Sequence, residues 1–426
     1  VREYIMNNFF KIDKKIIEAS EKAMEQSEKA FKRIDSITEY NQQKVLAAFI
    51  DNKVSENHLG ISTGYGYGDP GRETLDKVVA QVFGGEDAVI RHTFTCGTHT
   101  LATALFGILR PGDTMLCATG LPYDTIQPAI GITGTPGQGS LKDLGVKYVQ
   151  ADLDENGEPD IEKIVSLLDS SVKMVYIQRS RGYSLRPSLS VAKIGEIAKA
   201  VKAVSDAVIM VDNCYGEFVE ETEPLQVGAD LIAGSLIKNP GGGIAPCGGY
   251  IAGKKEYVEL CTYRMTTPGL GREVGATLGQ NRNLFMGFFS APHVTGEALK
   301  TAEFTASLFS ILGYDVTPKP GEVRADIIQS VLLKNEEALV AFCQGMQKGA
   351  PVDSYVTPEP WDMPGYDSKV IMAAGAFTLG SSIELSADAP LREPYAAWMQ
   401  GGLNFHSGKT GVMLAAQAMF EKGLIL

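Results

Sequence analysis

The sequence has no apolar stretch near the roughly 20 residues that a bilayer crossing needs, so no membrane-spanning helix is expected. It has no excess of positive charge. Its 39 Lys and Arg stand against 51 Asp and Glu, a net charge of −12. That balance argues against nucleic acid or an anionic membrane as a partner. No CxxC pair occurs among its six cysteines (Cys96, Cys117, Cys214, Cys247, Cys261, Cys343), so neither a zinc site nor a disulfide framework is indicated. His58, His293 and His406 are too dispersed to suggest a metal set. No internal repeat or low-complexity tract is visible. The opening VREYIMNNFFKIDKK carries charges throughout and no secretory apolar region, so a cytoplasmic location is the expectation.

What is present is an ordinary globular composition, 44% hydrophobic with 46 glycines, over 426 residues, enough for two or three packed domains. Residues 13–33 read as an amphipathic helix capped by Asp13, and a second helix covers 36–50. SENHLGISTGYGYGDPGRETL then reads as a loop rich in glycine and tyrosine. From about residue 74 strands and helices alternate. AVIRHTF, TMLCATG, VKYVQAD, KMVYIQRS and AVIMVDN are the strands, and they are apolar throughout, as in a parallel α/β sheet covered on both faces. A long helix closes at Gly313, and a smaller α+β unit follows, with IIQSVLLK, VIMAAGAF and SSIELSAD as strands. The expected division is 1–73, N-terminal helices and an oligomerisation arm; 74–295, a large domain; and 296–426, a small domain.

Several residues could carry chemistry. In TCGTHTLATAL a strand ends and a turn of small residues opens directly into a helix. The free N–H groups of that helix start, with the Thr98 hydroxyl, suit a phosphate; Thr95 and Thr98 equally suit ordinary N-caps. This turn lacks a dinucleotide glycine pattern and a Walker lysine. His92 and His99 flank it, and capping or packing accounts for both. Tyr123 follows the next strand, where ligands of α/β sheets sit, and its ring could stack on a flat cofactor or cover the sheet edge. Asp212 closes the buried strand VIMVD and needs a cationic partner or a functional reason. Lys238, in SLIKNPGGG, sits at the mouth of a glycine-rich turn that favours close backbone approach. Arg179, Arg181 and Arg186 cluster after another strand, and Arg392 lies in the small domain. Arginine suits bidentate carboxylate binding, although a surface ion pair is the commoner fate. A lysine at such a turn, with a carboxylate at the end of an earlier strand, fits a pyridoxal phosphate site: the lysine holds the cofactor as a Schiff base and the aspartate keeps its ring nitrogen protonated.

Phosphate turn, strand-end aromatic, strand-end Asp, Ser three before Lys, and C-terminal Arg fall in one order. That order resembles the fold-type I pyridoxal phosphate enzymes, and within them the cystathionine γ-synthase, cystathionine β-lyase and methionine γ-lyase group. STGYGYGDPGRETL, RHTFTCGTHTL, MVDNCYGEF, SLIKNPGGGIAPCGGYIAG and GGLNFHSGKTGV are similar to a cystathionine β-lyase-like subfamily named for aluminium resistance. The likeness covers nearly the whole chain. It implies an aspartate aminotransferase-like fold: a mostly parallel large-domain sheet and a smaller α+β C-terminal domain. It implies that Lys238 anchors the cofactor, Asp212 pairs with its ring nitrogen and Tyr123 stacks on it. Cys96, Gly97, Thr98 and Ser235 would receive the phosphate, and Tyr67 or Tyr65 would reach the phosphate of a neighbouring subunit. Arg72 is a candidate for the arginine the group brings there. Arg392 first, then Arg181, would meet the substrate carboxylate. A homodimer or homotetramer is implied as well.

This chain departs from the group beside the lysine. Ser-x-Thr-Lys-Tyr becomes Ser-Leu-Ile-Lys-Asn, so the side-chain preferences of true cystathionine enzymes do not transfer. The expected activity is removal of a thiol from a sulfur-containing amino acid by β- or γ-elimination, giving a keto acid and ammonia. Amino transfer on the same fold, or a cofactor-binding protein of regulatory or metal-tolerance role, are the alternatives.

Overall fold

Seven short runs rich in Val, Ile, Met and Leu become the strands of one sheet. They are β1 (Asp87–Arg91), β2 (Thr114–Cys117), β3 (Lys147–Gln150), β4 (Val172–Gln178), β5 (Val208–Asp212), β6 (Leu231–Ser235) and β7 (Gly249–Gly253). The computed structural model describes residues 9–363 and 368–425; the first eight, part of the opening read for a targeting segment, lie outside them. The sheet order is β1-β7-β6-β5-β4-β2-β3. Strands β3, β2, β4, β5 and β6 run parallel, and β7 pairs antiparallel with both β6 and β1.

Side chains alternate across a strand, so each strand feeds two cores. Val175, Ile177, Ile209, Val211 and Ile232 join one core. There they meet Val78, Val79 and Phe83 of helix Pro70–Phe83 and Ile194 and Ile197 of helix Val191–Lys202. Met174, Tyr176, Met210, Leu231 and Ala233 join the other core, against Leu101, Leu105 and Ile108 of helix Gly97–Ile108 and Val258 of helix Lys255–Met265. Helices therefore cover both faces, which is why these strands are continuously apolar. Local chemistry fixes the helix starts. Asp69 accepts the Arg72 N–H at 2.8 Å ahead of Pro70, and Ser190 caps the helix at Val191.

The chain divides into two compact units, Glu39–Pro292 and, together, Val1–Thr38 with His293–Leu426. The second unit holds an antiparallel sheet of β8 (Asp315–Thr317), β9 (Gln329–Leu332), β10 (Val370–Ala373), β11 (Ser386–Pro390) and β12 (Ala396–Gln400), in the order β10-β11-β12-β9-β8. Its apolar face (Val331, Ile371, Ala387, Ala397, Met399) packs on helices Glu336–Lys348 and Phe405–Glu421. The stretch expected as an N-terminal arm is thus shared by the two units. Its two expected helices are one, Lys14–Asp51, because no glycine or proline interrupts the sequence between them. The long helix begins earlier than expected, at Asn281, and runs through Pro292 to Ile311. Strands β6, β7, β8 and β12 and helix Lys255–Met265 were not anticipated as such. Among the described residues no helix is long and apolar enough to cross a membrane.

Candidate active site

The alternation that builds the cores also assembles the site. Tyr176, Asp212 and Ser235 fall in the same phase as Met174, Met210 and Ala233, so all three face helix Gly97–Ile108. They lie at or near the C-terminal ends of β4, β5 and β6, where ligands of such sheets bind. The start of that helix meets the end of β6: a Cβ added to Gly97 would come within 3.2 Å of Ser235 Cβ and 4.0 Å of Cys214 Sγ. Cys96 is the N-cap, extended and exposed, and its Sγ accepts the His99 N–H at 3.4 Å. Thr98 Oγ1 lies 2.7 Å from Thr125 Oγ1, tying the helix start to the loop that carries Tyr123.

Asp212 is buried. Its Oδ2 accepts from Tyr176 Oη at 3.3 Å and its Oδ1 from the Cys214 N–H at 3.1 Å. Burial, with the Asp212 charge beside it, holds the Tyr176 phenol far above its ordinary value, so it stays a donor. Strand β4 ends in Gln178, in register with Asp212, and the Gln178 Oε1 accepts the Tyr123 N–H at 2.7 Å. The backbone of the half-buried Tyr123 is therefore tied to the strand end next to Asp212.

Lys238 follows β6 and opens the tight turn Asn239–Gly241. It is half-buried, and its Nζ lies 4.1 Å from the ring centroid of Tyr215, a residue in the left-handed region at φ 71°. Burial works to lower the Lys238 ammonium, but its contacts with Cys214, Tyr215 and Asp212, a hydrogen bond to Cys214 among them, outweigh it and hold it above its ordinary value. The Cys214 thiol is itself pushed far up by burial and by Asp212, so it is uncharged.

The three arginines after β4 have separate fates. Arg179 is fully buried, with Nη1 2.8 Å from Asn213 Oδ1 and Nη2 2.8 Å from Glu220 Oε1. Arg186 donates to the carbonyls of Pro187, Gln178 and Ser180. These bonds tie both arginines to neighbouring segments of the same unit. Arg181 is buried, and its neighbour Gly182 lies against the Tyr123 ring, to which an added Cβ would come within 3.2 Å. Arg392 belongs to the other unit, exposed on the turn between β11 and β12.

Tyr65 and Tyr67 stack on one another at 5.5 Å and are 71% and 61% exposed. Arg72 is turned inward, donating to the carbonyls of Gly66, Gly275 and Glu273, so it braces this loop from inside. Tyr176, Tyr215 and the pair Glu217 and Tyr250 behind the sheet were not singled out from sequence. For Tyr176 the sequence offers only a phenol among the apolar residues of KMVYIQ, with no sign of what it faces.

These residues fit pyridoxal phosphate. The close approach at Gly97 leaves a cradle that a side chain would fill, at a helix start whose first N–H groups no helix carbonyl can reach. A reachable amine and a buried carboxylate flank it. Among the described residues no cluster could hold a metal ion.

Comparison with known proteins gives a concordant result. A family model for methionine gamma-lyase matches residues 16–420. The crystal structure of a carbon-sulfur lyase involved in aluminum resistance from Clostridium novyi NT is 50% identical, with a TM-score of 0.92 over 95% of this chain and 96% of that one. An uncharacterized protein of Bacillus subtilis, YnbB, is 48% identical over 92% of this chain and 94% of its own length. The pyridoxal-5'-phosphate dependent protein YhfS from Escherichia coli shares the fold alone, at 13% identity and a TM-score of 0.61, covering 91% of this chain and 97% of that one.

Proposed function

The chain belongs to the methionine gamma-lyase family, and from that premise we propose that it is a pyridoxal phosphate-dependent carbon–sulfur lyase acting on a sulfur-containing amino acid. The observation that carries the reading is the Lys238 turn. A half-buried amine stands 4.1 Å over the Tyr215 ring, on the loop that follows Asp212, just after the strand whose Ser235 meets Gly97.

Each residue then has a role set by its place. Lys238 Nζ would hold the cofactor and, once the substrate amine displaces it, carry the proton away from the substrate Cα. The Asp212 carboxylate would hold a proton on the ring nitrogen, and Tyr176 Oη keeps that carboxylate oriented. The Gly97 and Thr98 N–H groups and Ser235 Oγ would bind the phosphate, with Cys96 capping the turn. Tyr123 would cover the ring face. When bound, the cofactor supplies an electron sink for the pair left at Cα. A thiol then leaves Cβ or Cγ, and hydrolysis yields a keto acid and ammonia.

Of the two arginines expected to meet the substrate carboxylate, we take Arg181 first, because it is buried beside the Tyr123 loop in the unit that holds Lys238; Arg392 is the alternative. A conservative Lys at the working position raises KM, and at the other position leaves it unchanged. The exposed Tyr65 and Tyr67, with exposed Ile61 and Leu278 nearby, support a second copy of the chain as partner, in a dimer or tetramer.

Product identification over cysteine, cystathionine, methionine and homocysteine tests the reaction. Keto acid and ammonia released without an added keto acid support the lyase; a requirement for an added keto acid marks amino transfer. Lys238→Ala is expected to lose both the visible absorption of bound cofactor and the activity, and retention of both would sink the assignment.

A further inference from the structure

A buried acid lies behind the Lys238 turn and takes no part in the roles above. Glu217 is 0% exposed. Its Oε1 accepts from Tyr250 Oη at 2.8 Å, and its backbone carbonyl accepts from Asn239 Nδ2 at 2.9 Å. Asn239 follows Lys238 directly. Two acceptors, Glu217 Oε2 and Asn239 Oδ1, are buried without a hydrogen-bond partner among the described residues. An ionised carboxylate with an idle buried oxygen is costly; a carboxylic acid turns that oxygen into a donor. Strand β6 is shaped around the acid. Gly234 falls in phase with Ile232, on the face away from Ser235, and a Cβ there would come 2.5 Å from Glu217 Oε1 and 2.6 Å from Tyr250 Cε1.

The titratable groups that face Glu217 come from several segments: Tyr250 on β7, Lys238 after β6, Glu223 ahead of the turn Pro224–Val227, and Cys214 on its own segment. Beyond Glu223, Arg179 is already matched by two carboxylates, Glu220 at 2.8 Å and Glu223 at 3.6 Å. Lys238 is therefore the cation whose state Glu217 can influence.

We propose that Glu217 is a positioning residue of this site, an uncharged carboxylic acid whose neutrality keeps the Lys238 amine from being locked as an ammonium ion. The proposal rests on the reading of Lys238 as cofactor anchor and proton carrier. A lysine that must release its proton is hindered by each negative charge near it. Asp212 is committed to the ring nitrogen and Cys214 is an uncharged thiol. An ionised Glu217 would add a full negative charge that acts on Lys238 through space. Burial, reinforced by Glu223 and opposed by Tyr250 and Lys238, pushes its carboxyl up to about 8 and so keeps it neutral at neutral pH.

The test is the rate at which added pyridoxal phosphate restores the visible band to cofactor-free protein, followed from about pH 6 to about pH 10, on either side of the Glu217 carboxyl. That rate reads the fraction of Lys238 present as free amine. In Glu217→Gln the rate on the alkaline side of about pH 8 is expected to exceed that of wild type by about tenfold, because no charge forms beside the lysine. In Tyr250→Phe, which removes the donor that favours the ionised acid, the Glu217 inflection moves up from about 8. Coincident profiles for wild type and Glu217→Gln overturn the proposal. If Glu217→Gln does not fold, an unmoved inflection in Tyr250→Phe does the same. A wild type that forms no band at any pH brings down the reading of Lys238, and this proposal with it, which is a distinct outcome.

Discussion

Replacing Glu217 by Gln should make the cofactor-free protein more stable on the alkaline side and leave it no more stable on the acid side. An unfolded glutamate ionises near 4.5 and the folded one near 8, because burial penalises the charged form. The folded state thus binds this proton more tightly than the unfolded state. The stabilisation is fully present below pH 4.5, is lost as the pH rises through the interval, and is gone above about 8. One pKa unit is about 1.4 kcal/mol, so by pH 7 the wild type has given up about 3 kcal/mol that a glutamine does not give up. Glu217 is fully buried, so solvent screening does not reduce that figure. Scanning calorimetry of both proteins between about pH 5 and about pH 8 should show the two melting temperatures diverging by roughly 3 to 5 °C, with the variant higher at the alkaline end. Melting curves that stay parallel across that range would show that Glu217 ionises normally, and would refute the reasoning.

Three further substitutions probe other contacts. Gly97→Ala places a methyl 3.2 Å from Ser235 Cβ; equilibrium dialysis should show cofactor affinity falling about tenfold, while the melting temperature of the cofactor-free protein holds, since alanine is the better helix former by about 1 kcal/mol. Asp76→Ala strips the partner from Arg91, whose Nη1 lies 2.6 Å from Asp76 Oδ1 with both side chains buried. Urea unfolding should register a loss of about 3–5 kcal/mol, and a loss below about 1 kcal/mol would show the pair to be dispensable. Tyr176→Phe removes a hydrogen bond to Asp212 Oδ2; kcat/KM should drop roughly fivefold, with the loss carried by kcat, and a loss carried by KM alone would contradict the orienting role.

The family resemblance and the parallel large sheet were legible because they rest on local signals. Apolar runs ending in Asp212 or just before Lys238, and a small-residue turn opening a helix, can each be read within ten or so residues. What the sequence concealed was set by partners far along the chain. Tyr176 matters because register places it beside Asp212, and nothing within KMVYIQ announces that. Strand β7 is framed by glycines, which read as turn; Gly249 is there because a Cβ would strike Thr100 Oγ1 at 2.0 Å. Asn239 looked like a mere departure from the lyase pattern. Its amide in fact grips the Glu217 carbonyl, a contact between two loops that no periodicity predicts. The two N-terminal helices merged for the opposite reason: the expected boundary near residue 35 carried no breaker, and local propensity alone decides such a position.

Gly234 has a consequence for how this protein can change over generations. Its missing side chain and the acid of Glu217 occupy the same space, with Tyr250 as the third claimant. No one of the three positions can enlarge alone. Alanine at 234 would require 217 or 250 to shift or to shorten, so substitutions at the three positions are coupled. Relatives should therefore pair glycine at 234 with the full-sized acid and tyrosine, and carry a larger residue at 234 only where 217 or 250 differs. A comparison of relatives at three columns can read that history, and the absence of a side chain at position 234 becomes a marker for the room that the acid and the phenol share.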